Sequence, residues 1–321
     1  MSDAAAAIAT KARQAAPRIA EIIRETPLQH SPALSDIIGA EVYLKLENMQ
    51  YTGSFKLRGA SNRLLTLSAE ERARGCVAAS SGNHGAAVAY AMQKLDVNGV
   101  IFVPEQTSAA KVDAIRSYGG QVSFFGSDGL DTEQHARDYA DEHGMVYLSP
   151  YNDPEVIAGQ ATCGIEMMQQ LADIDAVFVA VGGGGLISGI ASVVKEHSPD
   201  IEIFGCQPEA SAVMAKSIDA GEILDLASDP TLSDGTAGGI EPGAITFDLC
   251  AELVDRFVLV SEDEIASAMR RFMKLHEQVI EGAAGVALAA ALARPDLVLG
   301  RTIAIVICGG NVSQATRDSI F

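Results

Sequence analysis

Short apolar runs alternate along the chain with longer amphipathic stretches. The short runs predict strands, and several are continuously apolar, which is typical of strands covered on both faces. The predicted strands are Val42–Leu46, Cys76–Ala79, Gly99–Val103, Gln121–Phe125, Val146–Leu148, Ala176–Val181, Ile201–Cys206, Phe257–Val260 and Thr302–Ile307. Helical periodicity falls between them, for example at Lys56–Leu67, His84–Lys94, Ser108–Tyr118, Thr132–Glu142, Glu155–Leu171, Leu186–Glu196, Glu262–His276 and Ala283–Ala293. This alternation predicts an α/β fold with two parallel-sheet domains.

Turn-forming residues suggest where the two domains meet. Loops around Asn48–Ser54 and Ser149–Pro154 bracket the second to fifth predicted strands. We therefore predict a small domain at residues 51–148, inserted into a large domain made of residues 1–50 and 149–321. Ligands of open α/β sheets bind at the carboxyl ends of strands, so the cleft between the domains is the expected site.

Charge and cysteine content narrow the class of protein. The 321 residues carry 42 acidic and 23 basic side chains, for a net charge of −19. Such a surface repels phosphate backbones and anionic lipid, so we expect neither a nucleic-acid nor a membrane partner. Five cysteines without a CxxC pair, and no apolar leader, predict a cytoplasmic protein with free thiols. The uncharged stretch Ala176–Val194 contains four consecutive glycines, which favours a strand, a turn and a helix over a membrane span.

The four glycines, Gly182, Gly183, Gly184 and Gly185, lie between a predicted strand and a predicted helix. Backbone N–H groups in such a turn can approach a phosphate, and the helix N-terminus adds positive potential. A tight turn that only packs the helix on the strand is the alternative. The G-x-G-x-x-G spacing of a dinucleotide site and the GK[ST] of a P-loop are both absent. The pattern favours a smaller phosphorylated ligand and argues against a nicotinamide-dependent oxidoreductase.

Three further segments carry candidate chemistry. Lys56 follows Phe55 among small residues, and a desolvated lysine can form a Schiff base, although a solvated lysine at a helix start is common. The loop after strand Cys76–Ala79 offers hydroxyl, amide and N–H groups for a carboxylate, or only caps a helix; its sequence is Ser80-Ser81-Gly82-Asn83-His84-Gly85. Cys308 ends the last strand, where it contacts a cofactor edge or is simply buried.

Taken together and in this order, the segments resemble the fold-type II pyridoxal-phosphate enzymes of the serine/threonine dehydratase and serine racemase family. The resemblance covers nearly the whole chain, from Thr26-Pro27-Leu28 onwards. The matching segments are Ser54-Phe55-Lys56-Leu57-Arg58-Gly59, Ser80 to Gly85, Ala158-Gly159-Gln160, Gly182 to Gly185 and Cys308-Gly309-Gly310-Asn311.

The resemblance implies a role for each matching position. Lys56, with Phe55 beside it, would carry pyridoxal 5'-phosphate as a Schiff base, and Gly182 to Gly185 would bind the phosphate. Asn83 would hydrogen-bond the ring oxygen, and Cys308 would face the pyridine nitrogen. Ser81 would be a second acid/base opposite Lys56. Donors from Ser80, Ser81, Gly82 and His84 would hold the substrate carboxylate, and Gly238 would lie beside the substrate side chain. A homodimer is also implied.

Two departures from the family pattern bear on metal and substrate. The positions of the racemase metal ligands fall on Gln207 and Val213, so no metal is predicted, with Glu209 as a possible substitute. The segment from Asp234 to Gly243 differs from the usual dehydratase loop. Within a dehydratase of β-hydroxy-α-amino acids we expect 3-hydroxyaspartate as substrate, with the N–H groups of Gly238 and Gly239 as donors to its second carboxylate. His84 is the nearest candidate cation for that carboxylate, and support of the loop around Asn83 is its alternative role. Threonine or serine dehydration and serine racemisation stay open as alternatives.

Overall fold

The computed structural model describes residues 1–321 and contains two sheets. The six-stranded sheet has the order β1-β2-β10-β7-β8-β9, and the four-stranded sheet has the order β5-β4-β3-β6. The strands are β1 Leu28–His30, β2 Glu41–Lys45, β3 Cys76–Ala79, β4 Gly99–Val103, β5 Val122–Phe124, β6 Val146–Tyr147, β7 Ala176–Ala180, β8 Glu202–Pro208, β9 Arg256–Val260 and β10 Thr302–Val306. The predicted fold class is confirmed.

Fourteen α-helices complete the fold. They are α1 Asp3–Ile19, α2 Pro32–Ile38, α3 Lys56–Leu65, α4 Ala69–Arg74, α5 Asn83–Leu95, α6 Ala109–Ser117, α7 Gly129–His143, α8 Pro154–Gln170, α9 Gly185–His197, α10 Val213–Ala220, α11 Ile245–Leu253, α12 Glu262–His276, α13 Gly282–Ala293 and α14 Gln314–Ile320. Each predicted helix and strand lies within three residues of an observed one at both ends.

One observed strand, β1, was not predicted, and its direction also departs from the expected parallel arrangement. β1 is absent from the predicted strands and pairs antiparallel with β2, whereas every other strand pair is parallel. A three-residue edge strand has too few positions to show a periodicity. The four-stranded sheet falls wholly between Cys76 and Tyr147, and the proposed domain limits at 51–148 stay a prediction.

The core of the six-stranded sheet explains the uncharged stretch around the glycines. All five residues of β7 are buried, and α13, built almost entirely of alanine and glycine, is buried from Gly282 to Ala291. The stretch Ala176–Val194 forms β7, the glycine turn and part of α9, as predicted. None of the helices combines the length and the apolar character needed to cross a bilayer.

The helix that begins at Lys56 is fixed by close packing against α8. A Cβ on Gly159 would lie 2.6 Å from the Gly59 Cα, so only glycine allows the two helices to approach this closely. The Gly59 N–H donates to Gln160 Oε1 at 3.1 Å across the same crossing. This contact accounts for the Ala158-Gly159-Gln160 segment, which has a packing role.

A fully buried ionic cluster lies beneath the same helix turn. Arg58 pairs in bidentate fashion with Glu47 and with Glu166, with four N···O distances of 2.7–2.8 Å. Lys45 Nζ donates to Glu166 Oε2 at 2.6 Å, so two cations balance two carboxylates. Arg58 lowers the pKa of Glu47 against the opposing effect of burial. The cluster joins the start of α3 to the end of β2 and to α8.

Candidate active site

Lys56 is the first residue of α3, and its amine lies against the segment that follows β6, at the carboxyl end of that strand. The Nζ donates to the Pro150 carbonyl at 2.8 Å and lies 5.3 Å from the centre of the Phe55 ring. Burial lowers the pKa of Lys56 to about 8, while Cys308 and Glu281 act in the opposite direction. At this pKa the Lys56 amine is neutral in roughly a tenth of the molecules at pH 7, and only the neutral amine is a nucleophile or base.

Backbone pairing brings Cys308 beside Lys56. Ser54 and Gly309 form an antiparallel bridge, the Phe55 N–H donates to the Cys308 carbonyl at 3.1 Å, and the Gly310 N–H donates to the Gly53 carbonyl at 2.9 Å. The Cys308 side chain is buried at the end of β10. Burial raises the pKa of this thiol well above its ordinary value, so the sulfur stays protonated and neutral.

Asn83 is held by a carboxylate that the sequence analysis did not identify. Its Nδ2 lies 2.9 Å from both carboxylate oxygens of Glu281, and its Oδ1 accepts from Asn311 Nδ2 at 2.7 Å. Glu281 is buried, and burial raises its pKa to about 7. A signal was available, because Glu281 is the only charged residue between Glu277 and Arg294. The predicted contact of Asn83 with a ring oxygen stays a prediction.

The glycine turn has the properties of an anion cradle. None of the N–H groups of Gly182 to Gly185 donates a hydrogen bond within the protein. Gly184 has φ +87°, and a Cβ on Gly183 would lie 2.5 Å from the Tyr151 ring, so side chains are excluded at both positions. The turn opens directly into α9, which places the positive end of a helix at the free donors.

The loop after β3 lies at the N-terminus of α5. Ser80 and Ser81 are partly exposed and Gly82 is exposed. The Gly82 N–H donates to Ser80 Oγ at 3.2 Å, whereas the Ser81 and Asn83 N–H groups make no hydrogen bond within the protein. Free donors at a helix start suit a carboxylate. The assignment of these residues to the substrate stays a prediction.

Two donors expected for a second substrate carboxylate are otherwise engaged. The His84 side chain is buried, its Nε2 lies 2.9 Å from the Leu148 carbonyl, and burial next to Lys56 lowers its pKa to about 3. His84 is therefore neutral, and the expectation of a cation there was wrong. Gly238 is exposed, as a substrate-side residue would be, but its N–H already donates to Ser211 Oγ at 3.3 Å.

Gln207 has both ends of its amide occupied by the backbone. Its Nε2 donates to the Val181 carbonyl at 3.1 Å, and its Oε1 accepts the Ala215 N–H at 2.8 Å. Glu209 is exposed, and the structure contains no group of three metal-ligating side chains. The amide thus ties the strand before the glycine turn to α10 without a cation.

We expect the enzyme to keep its activity after chelation, because Gln207 supplies by hydrogen bonds the link that a cation would provide. Treatment with a chelator, followed by exhaustive dialysis, should change turnover by less than about twofold. The measurement is the rate of ammonia release with and without added magnesium. A large loss that magnesium restores would contradict this expectation.

Comparison with known proteins agrees with the geometry. The family model described as "Pyridoxal-phosphate dependent enzyme" matches residues 19–309. The chain belongs to this family. It is 41% identical over 308 residues to an L-threonine ammonia-lyase of Thermotoga maritima, covering 96% of this chain and 76% of that protein. It is 38% identical over 297 residues to an L-threo-3-hydroxyaspartate ammonia-lyase of Saccharomyces cerevisiae, covering 92% and 91%.

A solved structure extends the comparison to the fold. Maize serine racemase superposes with a TM-score of 0.91 at 32% identity, covering 97% of this chain and 95% of that one. The protein is a pyridoxal-phosphate-dependent lyase of the ammonia-lyase class. The site residues fit the cofactor, because the buried Lys56 amine contacts Pro150 and the next residue, Tyr151, packs against the glycine turn, whose four N–H groups lack an acceptor.

The pKa of Lys56 predicts how cofactor capture depends on pH. Since only the neutral amine reacts, the capture rate of the apoenzyme should rise nearly tenfold between about pH 6 and 7 and level off above about pH 8. Stopped-flow absorbance after mixing with pyridoxal phosphate measures the rate. A free lysine derivative is the control, and its rate should keep rising to about pH 10. A parallel profile for the two amines would contradict the shifted pKa.

Proposed function

We propose that this lyase eliminates water from a small β-hydroxy-α-amino acid and releases ammonia and a 2-oxo acid. The observation that carries the proposal is the Lys56 amine, whose pKa is about 8, in the same cleft as the glycine cradle and the loop after β3. Pyridoxal phosphate supplies the electron sink that lets the α-proton leave. The protein supplies position, proton transfer and exclusion of water.

Each of these tasks is assigned to particular residues by the chemistry of their side chains and N–H groups. The neutral Lys56 amine removes the α-proton, because its lowered pKa matches the working pH of a general base. The free N–H groups of Ser81 and Asn83 hold the substrate carboxylate at the start of α5. Glu281 holds the Asn83 amide in one orientation through its two oxygens. The hydroxyl group takes up a proton and leaves Cβ as water while the electrons of the broken Cα–H bond form the Cα–Cβ double bond. The released enamine tautomerises to an imine, which water hydrolyses to the 2-oxo acid and ammonia.

Threonine and serine are the substrates that the surroundings of the site support best. Two basic side chains from α6 and α7 contact the segment from Asp234 to Gly243, and both are paired, Lys111 with Asp234 at 3.7 Å and Arg137 with Glu241 at 2.8 Å. His84 is neutral. A second substrate carboxylate would therefore need a partner that is already bound to a protein carboxylate, and burying it unpaired is costly. The ammonia-lyase of Thermotoga maritima, named for threonine, agrees with this order.

3-Hydroxyaspartate is the second candidate, and one observation favours it. The Lys111–Asp234 pair is long and exposed, and a Cβ on Gly238 or Gly239 would meet nothing within 4 Å, so the loop leaves room for a larger substituent. The yeast relative is named for this substrate. Lys111 would then exchange Asp234 for the substrate carboxylate.

A substrate panel tests both candidates. Ammonia and 2-oxo acid are measured for L-threonine, L-serine and the 3-hydroxyaspartate isomers, and D-serine formation is followed to detect racemisation. We expect kcat/KM for threonine to exceed that for every 3-hydroxyaspartate isomer by at least about tenfold. A higher kcat/KM for a 3-hydroxyaspartate isomer than for threonine would favour the second candidate. If Lys111→Gln loses this preference and the exposed control Lys274→Gln keeps it, the second candidate is established. Cofactor-loaded enzyme that releases ammonia from none of them would overturn the proposal.

A further inference from the structure

The short segment between β6 and α8 contacts several parts of the site. The Leu148 carbonyl accepts from His84, and the Pro150 carbonyl accepts from Lys56. The next two residues, Tyr151 and Asn152, hold the backbone of the segment from Glu241 to Ile245, with distances of 2.9 and 3.0 Å. None of Leu148, Pro150, Tyr151 and Asn152 was assigned a chemical role by the sequence analysis.

Tyr151 joins two of these parts through opposite ends of its side chain. The ring lies against the glycine turn, since a Cβ on Gly183 would come within 2.5 Å of it and one on Gly185 would come within 3.0 Å of the Tyr151 Cβ. The hydroxyl oxygen accepts the Glu241 N–H at 2.9 Å. Burial raises the pKa of Tyr151 to about 12, so the hydroxyl stays neutral across the working range of pH.

Glu241 carries the connection on to the four-stranded sheet. Its Oε2 accepts from Arg137 Nη2 at 2.8 Å. Arg137 lies on α7, which packs on that sheet, and its guanidinium is 4.3 Å from the centre of the Tyr147 ring and also pairs with Glu133. A continuous path of contacts therefore runs from the glycine turn through Tyr151 and Glu241 to α7.

The loop that this path holds is exposed at its two glycines. Gly238 and Gly239 are exposed, and a Cβ on either would meet no atom within 4 Å. The beginning of the loop is fixed by Thr236, whose N–H donates to the Ser233 carbonyl at 2.9 Å. The far end is fixed at Glu241. Between these two ends the Gly238 N–H donates to Ser211 Oγ at 3.3 Å and Ile240 is buried, so the two contacts of Glu241 fix the far end of the loop.

We propose that Tyr151 and the Arg137–Glu241 pair are positioning residues that hold the Gly238–Gly239 loop against the substrate side chain and so set which β-hydroxy amino acids are used. The role of the loop in specificity rests on the proposed function. The holding of the loop by Tyr151 does not, because it is a property of the folded chain. The two parts are therefore separable by experiment.

Tyr151→Phe is the decisive variant, because it removes the hydroxyl acceptor and keeps the ring on the glycine turn. Amide hydrogen exchange of the peptide that contains Glu241 should become at least about tenfold faster, in the holoenzyme without substrate, as local opening becomes easier. Cofactor retention should not change. KM for threonine should rise at least about threefold with kcat within about twofold. The control is Tyr139→Phe, since the Tyr139 hydroxyl makes no hydrogen bond within the protein.

The ion pair is tested by a double-mutant cycle. Arg137→Gln and Glu241→Gln should each raise KM for threonine, and the double variant should be no worse than the more affected single variant. Arg294→Gln, which breaks an exposed pair with Asp296, is the control and should have no effect. Unchanged exchange at Glu241 in Tyr151→Phe would overturn the holding role. Faster exchange with unchanged KM ratios among the substrates would overturn the specificity role, and failure of every substrate would instead count against the proposed function.

Discussion

Replacing Lys56 with alanine is expected to reduce turnover by at least about a thousandfold, equivalent to about 4 kcal/mol of transition-state stabilisation. The variant loses the amine beside Pro150, to which the proposed function assigns both covalent binding of the cofactor and removal of the α-proton. The helix should still form, because alanine is the best helix former and α3 is anchored by Arg58. Steady-state ammonia release measures the loss.

A second readout separates chemistry from folding. After borohydride reduction, mass spectrometry should find the cofactor attached to the peptide containing Lys56 in the wild type and to no peptide in the variant. Lys274→Ala, at an exposed lysine on α12, is the matched control and should behave as the wild type. Normal elimination by Lys56→Ala would exclude Lys56 as the catalytic lysine.

Replacing Arg58 with methionine is expected to lower the free energy of unfolding by about 3–5 kcal/mol, because two buried carboxylates lose their bidentate partner. Lys45 remains as the only cation of the cluster. Urea denaturation of the apoenzyme measures the loss, and Arg294→Met, at an exposed ion pair, is the control. A loss below about 1 kcal/mol would show that the cluster is dispensable.

The same variant should reverse the dependence of stability on pH that Glu47 contributes. In the wild type the folded pKa of Glu47 is lowered, so its contribution is present above the unfolded pKa and is lost as the pH falls through the folded pKa. In Arg58→Met the Glu47 carboxylate lacks this partner, and burial raises its folded pKa. The penalty for its charge then grows as the pH rises above about 4.5. The variant should therefore lose more stability at about pH 8 than at about pH 5, and Glu47→Gln added to it should reduce the difference.

The local pattern of the sequence determined most of the secondary structure. Continuously apolar strands such as β7 are recognisable in the sequence because both of their faces are buried. Amphipathic helices such as α12 are recognisable because one face is buried, which fixes the residue types along the helix. The antiparallel β1 did not, because three residues carry no period. The matching segments, in their order, pointed to Lys56, and the structure placed its amine in the cleft with the glycine turn.

The tertiary structure decided what surrounds that lysine. Glu281 meets Asn83 across 198 positions of sequence, and Glu241 meets Tyr151 across 90, so no local pattern records either contact. His84 was expected to be a cation from its residue type, but burial made it neutral. A pKa depends on the groups and the solvent around the side chain, and these are fixed only when distant segments pack together. The sequence alone thus determined the fold class and the cofactor and predicted Lys56 as its lysine, whereas packing between distant segments decided the charges and the supports of the site.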